Sequence, residues 1–168
     1  MNNLKQEEQF IEAYDKFADP IFRYCYLRVF SQDLAKDITQ ETFVKTWDYL
    51  ARGEKVENFR PFLFKVATNL IIDESRKKKM ASLDYLKEKG VEPRLIVGRE
   101  FFETLDAKKI IEIAGGLDPK YRDAILLRYV EDLPMKEIAE ILKESEDNIS
   151  VRLHRGLKKL RETLGDYD

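Results

Sequence analysis

No apolar run in the sequence approaches the roughly 20 residues that a helix needs to cross a membrane. The N-terminal segment MNNLKQEEQF also lacks the apolar core of a secretory signal peptide. A single cysteine, Cys25, excludes a disulfide within the chain, and its aromatic neighbours favour a buried thiol over a redox sensor. These absences predict a cytoplasmic protein with no direct membrane insertion.

Glycine and proline are also scarce, with seven and five copies in 168 residues. Apolar residues recur at intervals of three and four without sustained period-two alternation, which is typical of amphipathic helices. The polar segment KEKGVEP at 87–93 indicates a linker. The sequence therefore predicts an all-α fold of two small helical domains joined by a flexible linker. These are an N-terminal helical bundle at 1–79, the linker at 80–98, and a C-terminal four-helix domain with a helix-turn-helix at 99–168.

Helix boundaries follow from breakers and capping residues. Asp19-Pro20 predicts a break in the first helical stretch, with Asp19 capping a new segment that begins at Pro20. Gly53 ends a helix, whereas Asp118-Pro119 begins one. The predicted helices cover 4–18, 20–30, 31–51 and 58–79 in the first domain, and 99–114, 119–130, 135–142 and 147–164 in the second.

The net charge of −2 at first argues against nucleic-acid binding, but the charges are unevenly distributed. Residues 148–161 include five basic and no acidic side chains, and a second basic cluster occupies 76–79. Acidic residues gather instead around 33–57. Because phosphate binding responds to local potential, the two basic segments are candidate nucleic-acid-binding faces.

The helices predicted at 135–142 and 147–164 have the dimensions of a helix-turn-helix motif, whose second helix enters the major groove of DNA. In the major groove an asparagine side chain can pair with adenine and an arginine side chain with guanine. A valine can pack on the methyl group of thymine, and a lysine can contact phosphate. A solvated face that contacts nothing would have a similar composition, but the preceding short helix and the lack of acids favour DNA. His154 is the only histidine in the sequence, so no second histidine is present to form a metal site with it. The outer stripe of the second helix holds Asn148, Val151, His154, Arg155 and Lys158.

Four short motifs in the C-terminal half are LxPxxR at 117–122, LLRY at 126–129, EIA at 137–139 and RLHR at 152–155. Together they resemble the fourth conserved region of bacterial sigma factors, specifically the extracytoplasmic-function (ECF) group. The resemblance implies that this helix-turn-helix contacts an upstream promoter element. The implied contact residues are Asn148, Ser150, Val151, Arg152, His154, Arg155 and Lys158.

Some positions depart from the family pattern. Lys143 and Glu144 occupy the turn, where the family usually has glycine and an apolar residue, and Pro134 stands where a serine or threonine cap is common. Ser150 and Val151 occupy positions that are more often polar or basic. These departures bear on the identity of the upstream element.

The N-terminal half contains DITQETFVKTW at 37–47, which resembles the sigma-factor helix that grips core RNA polymerase. It also contains FxxFLFKVATN at 59–69, followed by an aspartate and basic residues, which is similar to the helix that recognises the promoter element nearest the start site. Both occur in family order and at family spacing, so the resemblance covers nearly the whole chain. The implied polymerase-binding residues are Asp37, Gln40, Glu41, Phe43, Lys45 and Trp47. The implied proximal promoter contacts are Phe59, Arg60, Phe62, Lys65, Asn69, Asp73, Arg76 and Lys77.

The chemistry of these residues agrees with the resemblance. Opening DNA removes bases from the stack, and aromatic or guanidinium planes replace that stacking at roughly 1–3 kcal/mol per base. Asn69 offers hydrogen bonds to an extruded base. Phe59 and Phe62 are equally suited to a core, and the polar stripe at 37–45 is also what an ordinary amphipathic helix would carry.

The resemblance thus implies a non-catalytic transcription initiation factor that binds core RNA polymerase and promoter DNA. The resemblance also implies an anti-sigma factor partner. No phosphate loop, metal-ligand spacing or nucleophile–base pair is present, so we expect no cofactor, no small-molecule substrate and no enzyme activity. The alternative is a stand-alone helix-turn-helix regulator that binds an operator as a dimer; a nucleic-acid enzyme is a third, weaker hypothesis.

Overall fold

The computed structural model describes residues 2–80 and 107–164, and every regular element in these two ranges is helical. The chain divides into two compact units, Met1–Ile96 and Val97–Asp168. The all-α prediction is confirmed. The predicted linker lies outside the described residues apart from its first position, and so does the start of the helix predicted at 99–114.

The first unit is a bundle of three mutually packed helices: α1 (Asn2–Val29), α2 (Gln32–Ala51) and α3 (Phe59–Met80). Ser31 caps α2 through its hydroxyl, which accepts a hydrogen bond from the Leu34 amide at 3.3 Å. After α2, Gly53 has a φ of +89°, a left-handed conformation that favours glycine. The predicted ends of α2 and α3 are confirmed to within one or two residues.

The predicted break at Asp19-Pro20 is wrong, because α1 continues through Pro20 to Val29. A proline inside a helix removes one backbone hydrogen bond and destabilises the helix by about 3 kcal/mol or more. The next turns of α1 lie in the core, with Ile21, Cys25 and Leu27 fully buried. Tertiary burial of this segment outweighs the local penalty.

The core of the first unit combines apolar packing with satisfied polar groups. The Tyr24 ring packs edge-to-face on Phe64 at 5.4 Å, and its hydroxyl hydrogen-bonds Thr68 Oγ1 at 2.9 Å. On α2, the buried hydroxyls of Thr42 and Thr46 donate to carbonyls one turn earlier at 2.7 Å. Buried apolar residues include Ile21, Tyr24, Cys25, Leu27, Ala35, Ile38, Phe43, Leu50, Leu63, Phe64, Ala67 and Ile71.

The second unit contains α4 (Ala107–Gly116), α5 (Pro119–Ile125), α6 (Met135–Leu142) and α7 (Glu146–Leu164). Asp118 caps α5, as the sequence predicts, by accepting a hydrogen bond from the Lys120 amide at 3.1 Å. The core residues around α5, α6 and α7 include Tyr121, Ala124, Ile125, Leu127, Leu133, Ile138, Ala139, Ile141, Ile149 and Leu153.

The helix predicted at 119–130 changes type halfway along. Residues Leu126–Val130 form a π-helical turn, and the Glu131 amide donates to the Leu126 carbonyl at 3.0 Å. The wider turn buries Leu126 and Leu127 side by side and leaves Tyr129 exposed. Periodicity does not reveal such a turn, because a five-residue segment is too short to change the helical pattern over the window in which it is read.

No helix within 2–80 or 107–164 is both long enough and apolar enough to cross a membrane.

Candidate polymerase and nucleic-acid interfaces

The predicted polymerase-binding residues lie mainly on the exposed side of α2. Asp37, Gln40, Glu41 and Lys45 are all exposed, and Trp47 is 38% exposed. Intervals of three, four and eight residues put the four polar side chains along one face of the helix. We call these five residues the α2 face.

Val44 also belongs to this side of α2 and is 52% exposed. Val44 is not among the predicted site residues, because the sequence of an amphipathic helix does not show whether one particular apolar residue is exposed. An exposed valine between polar residues supplies apolar area to the α2 face.

Phe43 does not lie on the α2 face. It is 4% exposed and its ring packs edge-to-face on Tyr14 at 4.8 Å and on Phe10 at 6.2 Å. Phe10 also packs on Trp47 at 5.1 Å. The assignment of Phe43 as a direct polymerase contact is therefore incompatible with its burial. Its side chain holds α1 against α2, and Trp47 rests on the same ring cluster.

A groove of about 620 Å³ runs between α2 and α3. It brings together residues of the α2 face and the basic end of α3, which the sequence places about thirty positions apart. A neighbouring recess of about 390 Å³ shares Glu41, Lys45, Leu70 and Asp73 with it. The groove is lined by Leu34, Asp37, Ile38, Glu41, Lys45, Leu70, Asp73, Glu74, Arg76 and Lys77.

The start of α3 carries the first two predicted DNA contacts, Phe59 and Arg60, both half-buried. Asn58 caps this end, because its side-chain oxygen accepts a hydrogen bond from the Arg60 amide at 3.3 Å. Phe59 and the loop before it border a recess of about 300 Å³ against α1. The loop residues that line this recess are Val56, Glu57 and Asn58.

Phe62 and Asn69 lie two turns apart on α3 and line the same 390 Å³ recess. The Phe62 ring contacts Tyr49 of α2 at 5.0 Å and remains half-buried. Both side chains therefore reach an open recess while one side of each is supported by protein. Lys65 lies between them and is also half-buried.

Farther along α3, Asp73, Arg76 and Lys77 are exposed. Lys77 forms an exposed ion pair with Glu74 at 3.7 Å, which contributes little to stability and does not prevent a phosphate contact. The predicted stripe of Lys65, Asn69, Asp73 and Arg76 thus runs from the middle of α3, where the side chains are half-buried, toward its C-terminal end, where they are exposed.

In the second unit, α6 and α7 form the predicted helix-turn-helix. Ile149 and Leu153 face the core, and Gly156 lies so close to α5 that an added Cβ would meet Ile125 Cγ1 and Tyr121 Cβ at 3.2 Å. This packing turns the opposite side of α7 to solvent. The exposed residues on it are Asn148, Ser150, Val151, His154, Arg155 and Lys158.

Arg152 differs from the other predicted upstream contacts. It is half-buried at the flank of α7, where its Nη2 donates to Glu144 Oε1 at 2.6 Å. Glu144 Oε2 also accepts a hydrogen bond from Asn148 Nδ2 at 3.1 Å. In the sequence, Glu144 stands out only as a departure from the family pattern, because an ion pair between residues eight positions apart has no spacing signature when a turn lies between them.

None of the described residues group into a set of three His, Cys, Asp or Glu side chains that would hold a metal ion.

This arrangement is typical of a helical DNA-binding protein: one unit has a groove lined by charged residues of both signs beside a recess that contains Tyr49 and Phe62, and the other unit has a helix-turn-helix. Residues 13–80 match the Sigma-70 region 2 family, and residues 107–160 match the Sigma-70, region 4 family.

Relatives and solved structures agree with these matches. The chain is 30% identical over 175 residues to the ECF RNA polymerase sigma factor SigW of Bacillus subtilis, covering 95% of this chain and 91% of SigW. It is 31% identical over 150 residues to RNA polymerase sigma factor SigV of the same organism, covering 88% and 86%. The fold is similar to that of the sigma factor RpoE, solved with the anti-sigma factor NepR from Bartonella quintana, with a TM-score of 0.77, 20% identity and full coverage of both chains. It is also similar to CnrH, solved with the cytosolic domain of CnrY, with a TM-score of 0.70, 20% identity and coverage of 96% and 91%.

The chain belongs to the family of ECF RNA polymerase sigma factors. It is accordingly a transcription initiation factor rather than an enzyme, and the hypothesis of a stand-alone dimeric regulator is not favoured.

Proposed function

We propose that this chain directs core RNA polymerase to promoters through three surfaces: the α2 face, the groove side of α3, and the outer side of α7. The observation that carries the proposal is the shared groove, which lines up the α2 face with the predicted DNA-contacting end of α3. A factor that must open DNA on a polymerase needs its polymerase-binding and strand-binding surfaces side by side. A stand-alone regulator has no such requirement.

The α2 face would bind the polymerase. It presents three acidic or amide side chains (Asp37, Gln40 and Glu41) beside Lys45, with Val44 and Trp47 adding exposed apolar area. Aromatic residues with one open side are frequent anchors at protein interfaces. Trp47 fits that role because Phe10 supports its ring from within the unit. The acidic side chains suit a basic helical partner on the polymerase.

The groove side of α3 would capture the non-template strand as the duplex opens. Phe62 provides a half-buried aromatic ring for stacking, and Asn69 provides amide donors and acceptors in the same recess. Arg76 and Lys77 at the open end would meet phosphates. Asp73 lies between Asn69 and the basic end of α3. Its negative charge would repel phosphates, so they would bind on either side of Asp73 rather than beside it.

The outer side of α7 would bind the upstream element as duplex DNA. His154 and Arg155 lie exposed about one turn beyond Val151 and two turns beyond Asn148, which suits contacts with successive base pairs in the major groove. The domains proposed are 1–79 and 99–168 with a linker at 80–98. Two modest affinities joined by a tether act together because the tether raises the effective concentration of the second site.

Further partners and the compartment belong to the same proposal. The similar structure of RpoE was solved with the anti-sigma factor NepR, which supports an anti-sigma factor as a partner here. A sigma factor works where the chromosome and polymerase are, so we propose a cytoplasmic location.

Reconstitution with core polymerase tests the proposal. The chain would be mixed with core enzyme and sheared genomic DNA from the source bacterium, and the transcripts would be sequenced. We expect a discrete set of start sites preceded by two recurring sequence elements. Random initiation, or no difference from core enzyme alone, would contradict the proposal.

A charge reversal tests the α2 face in a binding assay with core polymerase. Glu41→Lys should weaken retention of core polymerase by an immobilised chain, because it places a like charge toward a basic partner. Glu8→Lys reverses an exposed carboxylate on α1 and is the matched control. Equal retention of polymerase by both variants would contradict the assignment of the α2 face.

A further inference from the structure

The turn between α6 and α7 contains a carboxylate that binds two side chains of the recognition helix at once. Glu144 Oε1 accepts from Arg152 Nη2 at 2.6 Å, and Oε2 accepts from Asn148 Nδ2 at 3.1 Å. The side chains of Glu144 and Arg152 are 31% and 26% exposed, so the ion pair is partly shielded from water. Such charge-assisted hydrogen bonds are shorter and stronger than neutral ones.

The backbone fixes where this carboxylate lies. Lys143 adopts a φ of +56° at the end of α6, and the Glu144 amide then donates to the Ala139 carbonyl at 3.0 Å. Ser145 caps α7, since its Oγ accepts a hydrogen bond from the Asn148 amide at 3.1 Å. These hydrogen bonds fix the backbone of the turn on both sides of Glu144. The Glu144 carboxylate is therefore held beside the first turn of α7.

A neighbouring carboxylate permits only one of the two orientations of an asparagine side-chain amide. An ionised carboxylate accepts hydrogen bonds and cannot donate them, whereas the amide has a donating nitrogen and an accepting oxygen. Asn148 must therefore turn its NH₂ toward Glu144, because the flipped amide would set its oxygen against a negative charge. One N–H is used by Glu144, and the second N–H and Oδ1 remain available.

The groups that remain are the ones that adenine requires in the major groove. Adenine offers N7 as an acceptor and N6–H₂ as a donor, and asparagine pairs with both through one N–H and its oxygen. An unconstrained amide would present its donor and acceptor in either order. Arg152 contributes by holding the carboxylate in place from the flank of α7, which makes it a positioning residue rather than a base contact.

We propose that Glu144 is a specificity-determining positioning residue, whose carboxylate fixes the Asn148 amide in the orientation that selects adenine in the upstream element. The proposal deepens, and rests on, the proposed binding of α7 to duplex DNA. Glutamine at position 144 presents either a donor or an acceptor and so no longer dictates the amide orientation, and leucine removes the interaction altogether.

Selection with the reconstituted holoenzyme tests this role. A promoter with a randomised upstream element would be transcribed, and the transcribed templates would be sequenced to give the base preference at each position. We expect the wild type to prefer adenine at one position, and Asn148→Ala to abolish that preference. Glu144→Leu and Glu144→Gln should each lose most of the roughly tenfold discrimination of a bidentate contact at that position. Preferences at the other positions should stay unchanged.

Glu146→Gln is the matched control, because it removes an equal charge from an exposed residue in the first turn of α7. It should leave the adenine preference intact. If Glu144→Leu fails to fold, as judged by thermal unfolding, the isosteric Glu144→Gln variant decides the question.

The outcomes separate this proposal from the proposed function. A preference that Asn148→Ala abolishes and both Glu144 variants retain overturns the positioning role and leaves α7 as the DNA-binding helix. A uniform loss across all positions in the Glu144 variants indicates a structural role and also overturns the proposal. An unchanged profile in Asn148→Ala removes Asn148 from the proposed DNA contacts and overturns the positioning role with it.

Discussion

Tyr24 and Tyr26 lie two positions apart on α1, and their buried hydroxyl groups differ in hydrogen bonding. Tyr24 hydrogen-bonds Thr68 at 2.9 Å, whereas the equally buried Tyr26 hydroxyl has no hydrogen-bond partner among the described residues. Burial raises the pKa of the Tyr26 phenol above its ordinary value of 10.0, because the charged form would lose its hydration.

Tyr24→Phe should therefore lower the free energy of unfolding by about 1–2 kcal/mol, since it leaves the buried Thr68 hydroxyl without its tyrosine partner. Tyr26→Phe is the matched control and should change stability by less than about 0.5 kcal/mol, because it removes a hydroxyl that is already unsatisfied. Urea unfolding followed by circular dichroism measures both. A larger loss for Tyr26→Phe than for Tyr24→Phe would contradict the assigned hydrogen bond.

Asn69 gives a prediction about function at the same scale. Asn69→Ala should reduce promoter opening by the holoenzyme about tenfold or more, because it removes a hydrogen-bonding group assigned to an extruded base. Its affinity for core polymerase should stay within about twofold of the wild type, since Asn69 does not belong to the α2 face. Fluorescence of 2-aminopurine in the promoter and a polymerase pull-down measure the two steps. Parallel losses in both assays would remove Asn69 from the strand-binding surface.

At the scale of elements, local sequence signals predicted the start of α2 and the cap of α5 correctly but failed at Pro20. Ser31 and Asp118 act within three residues of their own positions, so neighbouring residues suffice to identify them. Whether a helix continues through a proline depends on the burial of the segment beyond it, which a local signal does not contain. The π-helical turn at Leu126–Val130 escaped prediction for a similar reason.

The continuity of α1 leads to a pair of substitutions. Pro20→Ala should stabilise the first unit by about 1–3 kcal/mol, because it restores a backbone hydrogen bond and relieves the clash of the proline ring with the preceding turn. Asp19→Ala should be nearly neutral, since Asp19 is an exposed residue within a continuous helix. A loss of about 1 kcal/mol in Asp19→Ala would show instead that Asp19 caps a separate helix. Thermal unfolding distinguishes the two arrangements.

The contact of α7 with α5 leads to a second prediction at this scale. Gly156→Ala should destabilise the second unit by about 1–3 kcal/mol, because its Cβ would meet Ile125 and Tyr121 at 3.2 Å. This penalty outweighs the gain of about 1 kcal/mol that alanine brings to a helix. Gly116→Ala is the control, since a Cβ there meets nothing within 4 Å. Equal unfolding temperatures for the two variants would contradict the close approach of α7.

At the scale of the whole molecule, the sequence predicted the all-α class and the family, because the first depends on apolar periodicity and the second on short contiguous motifs. The site was less predictable. Phe43 has the same spacing as the exposed residues around it, and only the packing of α1 shows that it is buried. The groove between α2 and α3 and the Glu144 network join residues across a turn or between helices, so no one-dimensional pattern records them.

The distribution of charge also acts at this scale. A net charge of −2 gives no general attraction to DNA, so the proposed function requires that affinity come from the local basic residues of α3 and α7 together with the polymerase. We propose that the two faces, which lie on separate units, recognise a promoter together when the polymerase holds both.

Native mass spectrometry of the chain with core polymerase and a promoter fragment, obtained from the genomic transcription assay, tests this account most directly. We predict one copy of the chain in a complex with one polymerase and one promoter, and no stable complex with the promoter when polymerase is omitted. Two copies of the chain bound to duplex DNA without polymerase would contradict the account and restore the dimeric regulator.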